Sequence, residues 1–275
     1  MAKAPKSRGS AAPSTARRPA GGGKPSADRA RASLPSATFA WLFLAALALR
    51  VAHILAMRGS PYFTHPVIDA WTYHDAARSI LAGHGHPDTV FWQPPGYSYF
   101  LALVYAITGP TDFFAPRLVQ AILGSAAAVL TAWIGARQFG PRVGLAAGAI
   151  VALYGTLIYF DGELLGVSVT VALQLIAVAL AVAAAGVARP GRLWFGAGLA
   201  AGAASLVTAP TLLFVPIFAA FARRRAHLVI LAAALAIAPV TIRNAVKGGE
   251  AVLISTNAGI NLYIGNNPRY DETIQ

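Results

Sequence analysis

The sequence predicts an all-α polytopic membrane protein, a bundle of about seven transmembrane helices with interfacial helices in its first outer loop. Composition, the lengths of the apolar runs and the placement of basic residues predict it. Of 275 residues, 56% are hydrophobic and 12% charged, with a mean hydropathy of +0.58, which is too apolar for a soluble domain of this size and excludes a water-soluble enzyme. The 22 Lys and Arg against 10 Asp and Glu give a net charge of +12. These cations fall in short clusters between apolar runs, the pattern of membrane topology signals and not a nucleic-acid footprint, so no nucleic acid is expected as a partner. With no cysteine, disulfides, thiolate nucleophiles and Cys-ligated metals are excluded.

The first 35 residues are rich in Ala, Pro, Gly and Ser, with eight basic residues and one acid. Such a segment has nothing to bury and reads as a disordered cytoplasmic tail that contacts anionic lipid at most. The run 37–57 is about twenty residues long, a spanning helix and not the shorter core of a signal peptide. The positive charges before it hold the N-terminus inside.

The stretch 95–109 has fifteen residues, short of the ~30 Å hydrocarbon core at ~1.5 Å per residue. If it does not cross, the runs 117–136, 143–160, 165–187, 193–208, 210–222 and 227–242 bring the total to seven. The connections holding Arg137 and Arg142, Arg189 and Arg192, and Arg223 to Arg225 then all fall inside. Thr208-Ala209-Pro210 becomes a tight outer turn, and every carboxylate except Asp28 lies at or beyond the outer face. The domains expected are the tail 1–35, a transmembrane module 36–242 with its outer loop 58–116, and a segment 243–275 that is expected to be the truncated start of an extracytoplasmic region.

The outer loop carries Asp69, Asp75, Asp88 and Asp112, and four of the six histidines. Residues 69–82 have helical spacing with Tyr73, Ala76, Ala77, Ile80 and Leu81 on one face, a helix lying on the membrane surface. A second interfacial helix begins at Pro94-Pro95, amid aromatics that suit the headgroup level. Arg50 and His53 sit near the outer end of the first span, where contact with these surface helices is expected. The twin Gly-Leu-Ala-Ala-Gly-Ala segments at 144–149 and 198–203 read as helix-packing stripes.

Several stretches resemble one family. They are Ile-Asp-Ala-Trp-Thr-Tyr-His (68–74), Gln-Pro-Pro-Gly-Tyr (93–97), Ala-Pro-Arg-Leu (115–118), Ala-Arg-Gln-Phe-Gly (136–140) and Tyr-Phe-Asp-Gly-Glu-Leu-Leu (159–165), closing with Arg-Asn (243–244) and 257–268. In this order they are similar to bacterial-type membrane glycosyltransferases of the protein O-mannosyltransferase and aminoarabinose-transferase superfamily, whose fold is called GT-C. The resemblance implies a GT-C-like bundle in the bacterial cytoplasmic (inner) membrane with its active site toward the periplasm or exterior. It implies transfer of a sugar, hexosyl or pentosyl, from a polyprenyl-phosphate donor to an acceptor hydroxyl on protein, lipid or glycan, without a nucleotide sugar.

An inverting transfer needs a carboxylate to take the acceptor proton and a cation to stabilise the departing phosphate. The resemblance places the base at Asp69, whose plain alternative is an N-cap of the surface helix. It places a donor-phosphate contact at Arg117, otherwise an interfacial snorkelling arginine, with Arg243 a second candidate. Asp161 and Glu163 form a second acidic pair that holds a divalent cation, orients the acceptor or stands solvated in a loop. A metal-site glutamate of aminoarabinose-transferase relatives corresponds to Trp92 here, followed by Gln93, so the metal is open, with Asp161, Glu163 and His74 as candidate ligands. A transporter or flippase of lipid-linked glycans and a non-catalytic remnant are the other functional classes.

Overall fold

The computed structural model describes Met1 and residues 34–269. The expected disorder of the basic tail falls on residues outside these. The described residues are helical and contain no strand.

Helix α1 (Ser36–Met57) follows Pro35, whose fixed φ suits a helix start. Helices α2 (Asp69–Leu81) and α3 (Gly96–Thr108) form between α1 and the next long helix, where two helices are expected, and pack on each other. Helix α4 (Phe114–Phe139) runs longer than the expected 117–136. Its N-terminus is capped by Asp112, whose Oδ1 accepts bonds from the amides of Phe114 and Ala115 at 2.9 and 3.0 Å.

The third expected span is broken. Helices α5 (Pro141–Leu153) and α6 (Gly155–Gly162) meet at Tyr154, which is extended at ψ 104, and the chain bends there by 49°. Helix α6 therefore contains Asp161, which was expected in a loop, while Glu163 follows its end. Then come α7 (Val167–Ala184) and α8 (Gly191–Val207), followed by a 3₁₀ segment Ala209–Leu213, α9 (Phe214–Ala222), a 3₁₀ turn Arg223–Arg225, α10 (Ala226–Gly248) and α11 (Asn257–Asn266). Helix α10 continues past the expected end at Ile242, so Arg243 lies inside it.

By length and composition four runs can cross a membrane: Ser36–Met57, Phe114–Phe139, Val167–Ala184 and Ala209–Gly248; the bent pair makes five. The expected seven need two more elements. One is α8, whose 17 residues span ~25 Å. The other is a division of Ala209–Gly248 at Arg223, which turns at φ 52. That turn folds α9 back on α10, because Leu212 and Val215 line the same groove as Thr241 and Ile242.

Close packing has the cause expected of the twin segments. At Gly135 a Cβ would stand 2.9 Å from the Cα of Gly144, and at Gly202 one would stand 2.8 Å from the Cα of Ala233. Only residues without bulk let α4 meet α5 and α8 meet α10 at this range. Accordingly the core around α7 to α10 is built largely of alanine, with Trp194 and Phe218 as its large members.

The two ends of the bundle differ in charge. At one end Arg137 Nη2 reaches the α7–α8 connection at Gly186, and Arg225 Nη1 reaches Gly191. At the other, Thr170 and Thr208 share a hydrogen bond of 2.8 Å, and Thr256 donates its amide to the carbonyl of Phe91 at 3.0 Å. The chain after α10 therefore lies at the same end as the first loop. Cysteines introduced as Ala258→Cys and Arg224→Cys should react with a membrane-impermeant maleimide from opposite sides of sealed vesicles; labelling from one side would refute the fold-back at Arg223.

Candidate active site

Asp69 is the first residue of α2, and Ile68 before it occupies the cap position at φ 53, a conformation that a β-branched residue rarely adopts. The expected N-cap role does not materialise, since no side chain caps α2. Instead Gln93 Nε2 donates to Asp69 Oδ1 at 2.8 Å, while Gln93 Oε1 is buried without a partner. The Gln-Pro-Pro turn thus holds one oxygen of an exposed carboxylate and leaves the other open.

One turn of α4 carries the polar centre beneath it. Arg117 is 1% exposed and Gln120 fully buried. Arg117 Nε donates to the carbonyl of Gly162 at 2.6 Å, and Nη1 donates to those of Phe63 and Phe113 at 3.0 and 2.7 Å. The guanidinium also lies over the Phe63 ring, 4.1 Å from its centroid. Gln120 Nε2 donates to the carbonyls of Asp161 and Glu163 at 3.0 and 2.6 Å and its Oε1 accepts from the Tyr97 hydroxyl. Arg117 and Gln120 together hold three consecutive carbonyls, 161 to 163, where α6 ends. Arg117 Nη2 takes no hydrogen bond among the described residues.

A cavity of about 310 Å³ opens over this turn, lined by Asp69, Arg117, Tyr159, Glu163, Ile68 and Leu164 among others. Of the residues singled out from the sequence, it brings together Asp69, Arg117 and Glu163. Burial first and the Asp69 charge second push the Tyr73 phenol up to about 12, so Tyr73 stays protonated beside Asp69.

Asp161 is not paired with Glu163. It is 3% exposed, accepts from Arg50 Nε at 2.6 Å and from Ser168 Oγ at 2.5 Å, and points away from the cavity lining. Arg50 also donates Nη1 to the carbonyls of Ala46 and Ala152, both at 3.2 Å. The expectation that Arg50 contacts the surface helices is corrected: with no water at that depth, it pairs with the acid and carbonyls at the α5–α6 bend. Gly124 makes room for the pair, since a Cβ there would stand 2.7 Å from Arg50 Nε.

Arg243 lies outside the cavity. Its Nη1 donates to the carbonyl of Thr89 at 3.1 Å, and Nη2 to those of His86 and Asp88 at 3.3 and 2.5 Å, with the guanidinium 4.0 Å from the Phe91 ring centroid. Next to it the buried Asn244 accepts from the Phe91 amide at 3.2 Å and donates to the carbonyls of Val252 and Ile254, both at 3.1 Å. This dipeptide clamps residues 86–92 against the chain after α10.

The candidate metal ligands do not converge. Asp161 is committed to Arg50, and buried His74 sets Nδ1 3.0 Å from the Tyr105 hydroxyl, its imidazole held below the ordinary 6.5 chiefly by burial. Among the described residues no three His, Asp or Glu side chains gather as a metal site would require.

The helices long and apolar enough to cross a membrane mark an integral membrane protein, and one end of its bundle carries a largely apolar cavity edged by two carboxylates and a fixed arginine. The model of the dolichyl-phosphate-mannose-protein mannosyltransferase family matches residues 92–242, more than half the chain, and the chain belongs to that family and so to the GT-C superfamily. It is a membrane glycosyltransferase, and the family implies a lipid-linked sugar donor and an acceptor. The matched span contains Gln93, Arg117, Asp161 and Glu163; Asp69 precedes it and Arg243 follows it. No curated protein and no solved structure matches the chain.

Sequence reasoning missed the Arg50–Asp161 pair, Gln120 and the holding role of Gln93. A buried cation and a buried acid in separate apolar runs carried the signal for the first. Asp161→Leu alone should destabilise the bundle by about 3–5 kcal/mol, because Arg50 loses its partner; adding Arg50→Met should recover most of that loss in a detergent-unfolding titration.

His86 gives a pH prediction. Burial, followed by the nearby Arg243 charge, holds its imidazole below the ordinary 6.5 despite the opposing Asp88. Protonation therefore opposes the clamped loop: its contribution is complete above about 6.5 and is lost as pH falls through the lowered folded value. Amide exchange across residues 86–92 should quicken on acidification, and His86→Phe should flatten that dependence.

Proposed function

We propose that the cavity transfers a sugar from a polyprenyl-phosphate donor to an acceptor hydroxyl on the extracytoplasmic face, with Asp69 as the general base. The carrying observation is that Asp69, Arg117 and Glu163, from three distant segments, line one cavity. The acceptor oxygen attacks the anomeric carbon as its proton passes to Asp69; the bond from that carbon to the phosphate oxygen breaks, inverting the centre, and the lipid phosphate departs as an anion.

Gln93, bonded to Oδ1, aims Oδ2 at the acceptor. Arg117 is immobilised through Nε and Nη1 and offers Nη2 to the departing phosphate, so no side-chain ordering is required at the moment of transfer. Glu163 orients a hydroxyl of sugar or acceptor. The basic end of the bundle faces the cytoplasm, which supports a cavity on the opposite side; the membrane is proposed to be a bacterial inner membrane. No step is routed through a metal.

Asp69→Asn keeps size and removes basicity, so kcat should fall roughly 10²–10⁴-fold with donor binding retained. The assay uses membranes holding the full chain and radiolabelled polyprenyl-phosphate mannose. Near-wild-type turnover would defeat the assignment. Arg117→Lys keeps charge without the fork that holds the carbonyls of Gly162, Phe63 and Phe113; it should lose donor affinity and thermal stability together, and unchanged donor affinity would leave Arg117 a structural residue alone.

A further inference from the structure

All carboxylates among the described residues, from Asp69 to Glu250, belong to the outer loop, the α6–α7 junction or the chain after α10. The opposite end holds Arg137 and Arg142 between α4 and α5, Arg189 and Arg192 around the start of α8, and the turn Arg223–Arg225. The α7–α8 connection lies against the other two. Arg137 Nη2 lies 3.2 Å from the Cβ position of Gly186, and Arg225 Nη1 lies 3.1 Å from that of Gly191.

None of these arginines has a carboxylate partner within the described residues, and all but the half-buried Arg225 are exposed. Seven cations at one end without a carboxylate partner among the described residues make that end attractive to anions.

The depth of the cluster selects the anion. Arg192 is in the first turn of α8, whose 17 residues reach ~25 Å against a hydrocarbon core of ~30 Å. A helix shorter than the core cannot carry its first-turn arginine past the headgroups. Residues 209–222, which return the chain to Arg223, are shorter still. The guanidiniums of Arg192 and Arg223–Arg225 therefore stand at the level of lipid phosphates, their aliphatic stems along the apolar helix ends. The apolar Leu228 beside Arg225 at Gly191 supplies a surface against which the first carbons of an acyl chain can lie.

We propose that this end is a binding site for an anionic phospholipid, whose phosphodiester is held by the guanidiniums of Arg192 and Arg225, with Arg137 and Arg189 at its edge. Planar guanidinium forks match phosphate oxygens in pairs. The site is remote from the cavity that holds Asp69 and depends on membrane insertion alone, not on the transfer reaction.

The test uses the full chain in nanodiscs of phosphatidylcholine alone or mixed with phosphatidylglycerol, with lipid retained on the released protein counted by native mass spectrometry. Wild-type protein should retain phosphatidylglycerol preferentially. The double variant Arg192→Gln, Arg225→Gln should lower that preference roughly tenfold or more, and the double Lys variant, which keeps the charge but loses the fork, should retain only part of it. Arg78→Gln, on the exposed face of α2 at the opposite end, should leave it unchanged. An unaltered thermal midpoint of the double Gln variant in phosphatidylcholine discs shows that it folds. Equal retention of the two lipids by wild type, or equal preference in wild type and double variant, overturns the proposal. So does full competition by inorganic pyrophosphate, which would mark a site for soluble anions. None of these results bears on Asp69, so the proposal and the transferase reading fail separately.

Discussion

The grip of α4 on the carbonyls of residues 161–163 is the interaction on which the arrangement depends. A break between two helices at membrane depth exposes backbone acceptors that lipid cannot satisfy, at several kcal/mol each. Arg117 and Gln120 satisfy them from one turn of one helix. In doing so they set where α6 stops and hence where Glu163 emerges. Tyr97 completes Gln120 from α3, which ties the surface helices to the same point. A non-helical corner is thereby tolerated at the edge of the cavity that Asp69, Arg117 and Glu163 line.

The Arg50–Asp161 pair works on the other side of that corner. It takes the side chain of Asp161 while Gln120 takes its carbonyl, so one residue is fixed from α1 and from α4 at once. Burying the pair brings little net stability, since desolvation offsets attraction. Its value is directional: the bent chain has one satisfied arrangement, and competing ones strand a charge in hydrocarbon.

Much of this was legible in the sequence. The surface helix from Asp69, the second helix after Pro95 and the glycine stripes follow from period and composition, which act locally. The bend at Tyr154 was not, because the run 143–160 is uniformly apolar and no proline marks the break; tertiary bonds to carbonyls create it. Likewise Asp161 and Glu163 look equivalent two residues apart, yet α6 ends between them and sends one inward and one to the cavity. The family resemblance singled out Arg117, and its three carbonyl acceptors become visible only when distant segments meet.

The Arg243–Asn244 clamp bears on the order of events at the ribosome. The segment it fastens, 86–92, leads directly into Gln93, which steadies Asp69. The fastening residues, and the carbonyls of Val252 and Ile254 that complete Asn244, leave the translation machinery only after the last span. Until then the loop has its carboxylate but no clamp. Maturation of this loop therefore waits until the chain has emerged through Ile254, and a nascent chain cannot present a finished cavity before α10 is in place.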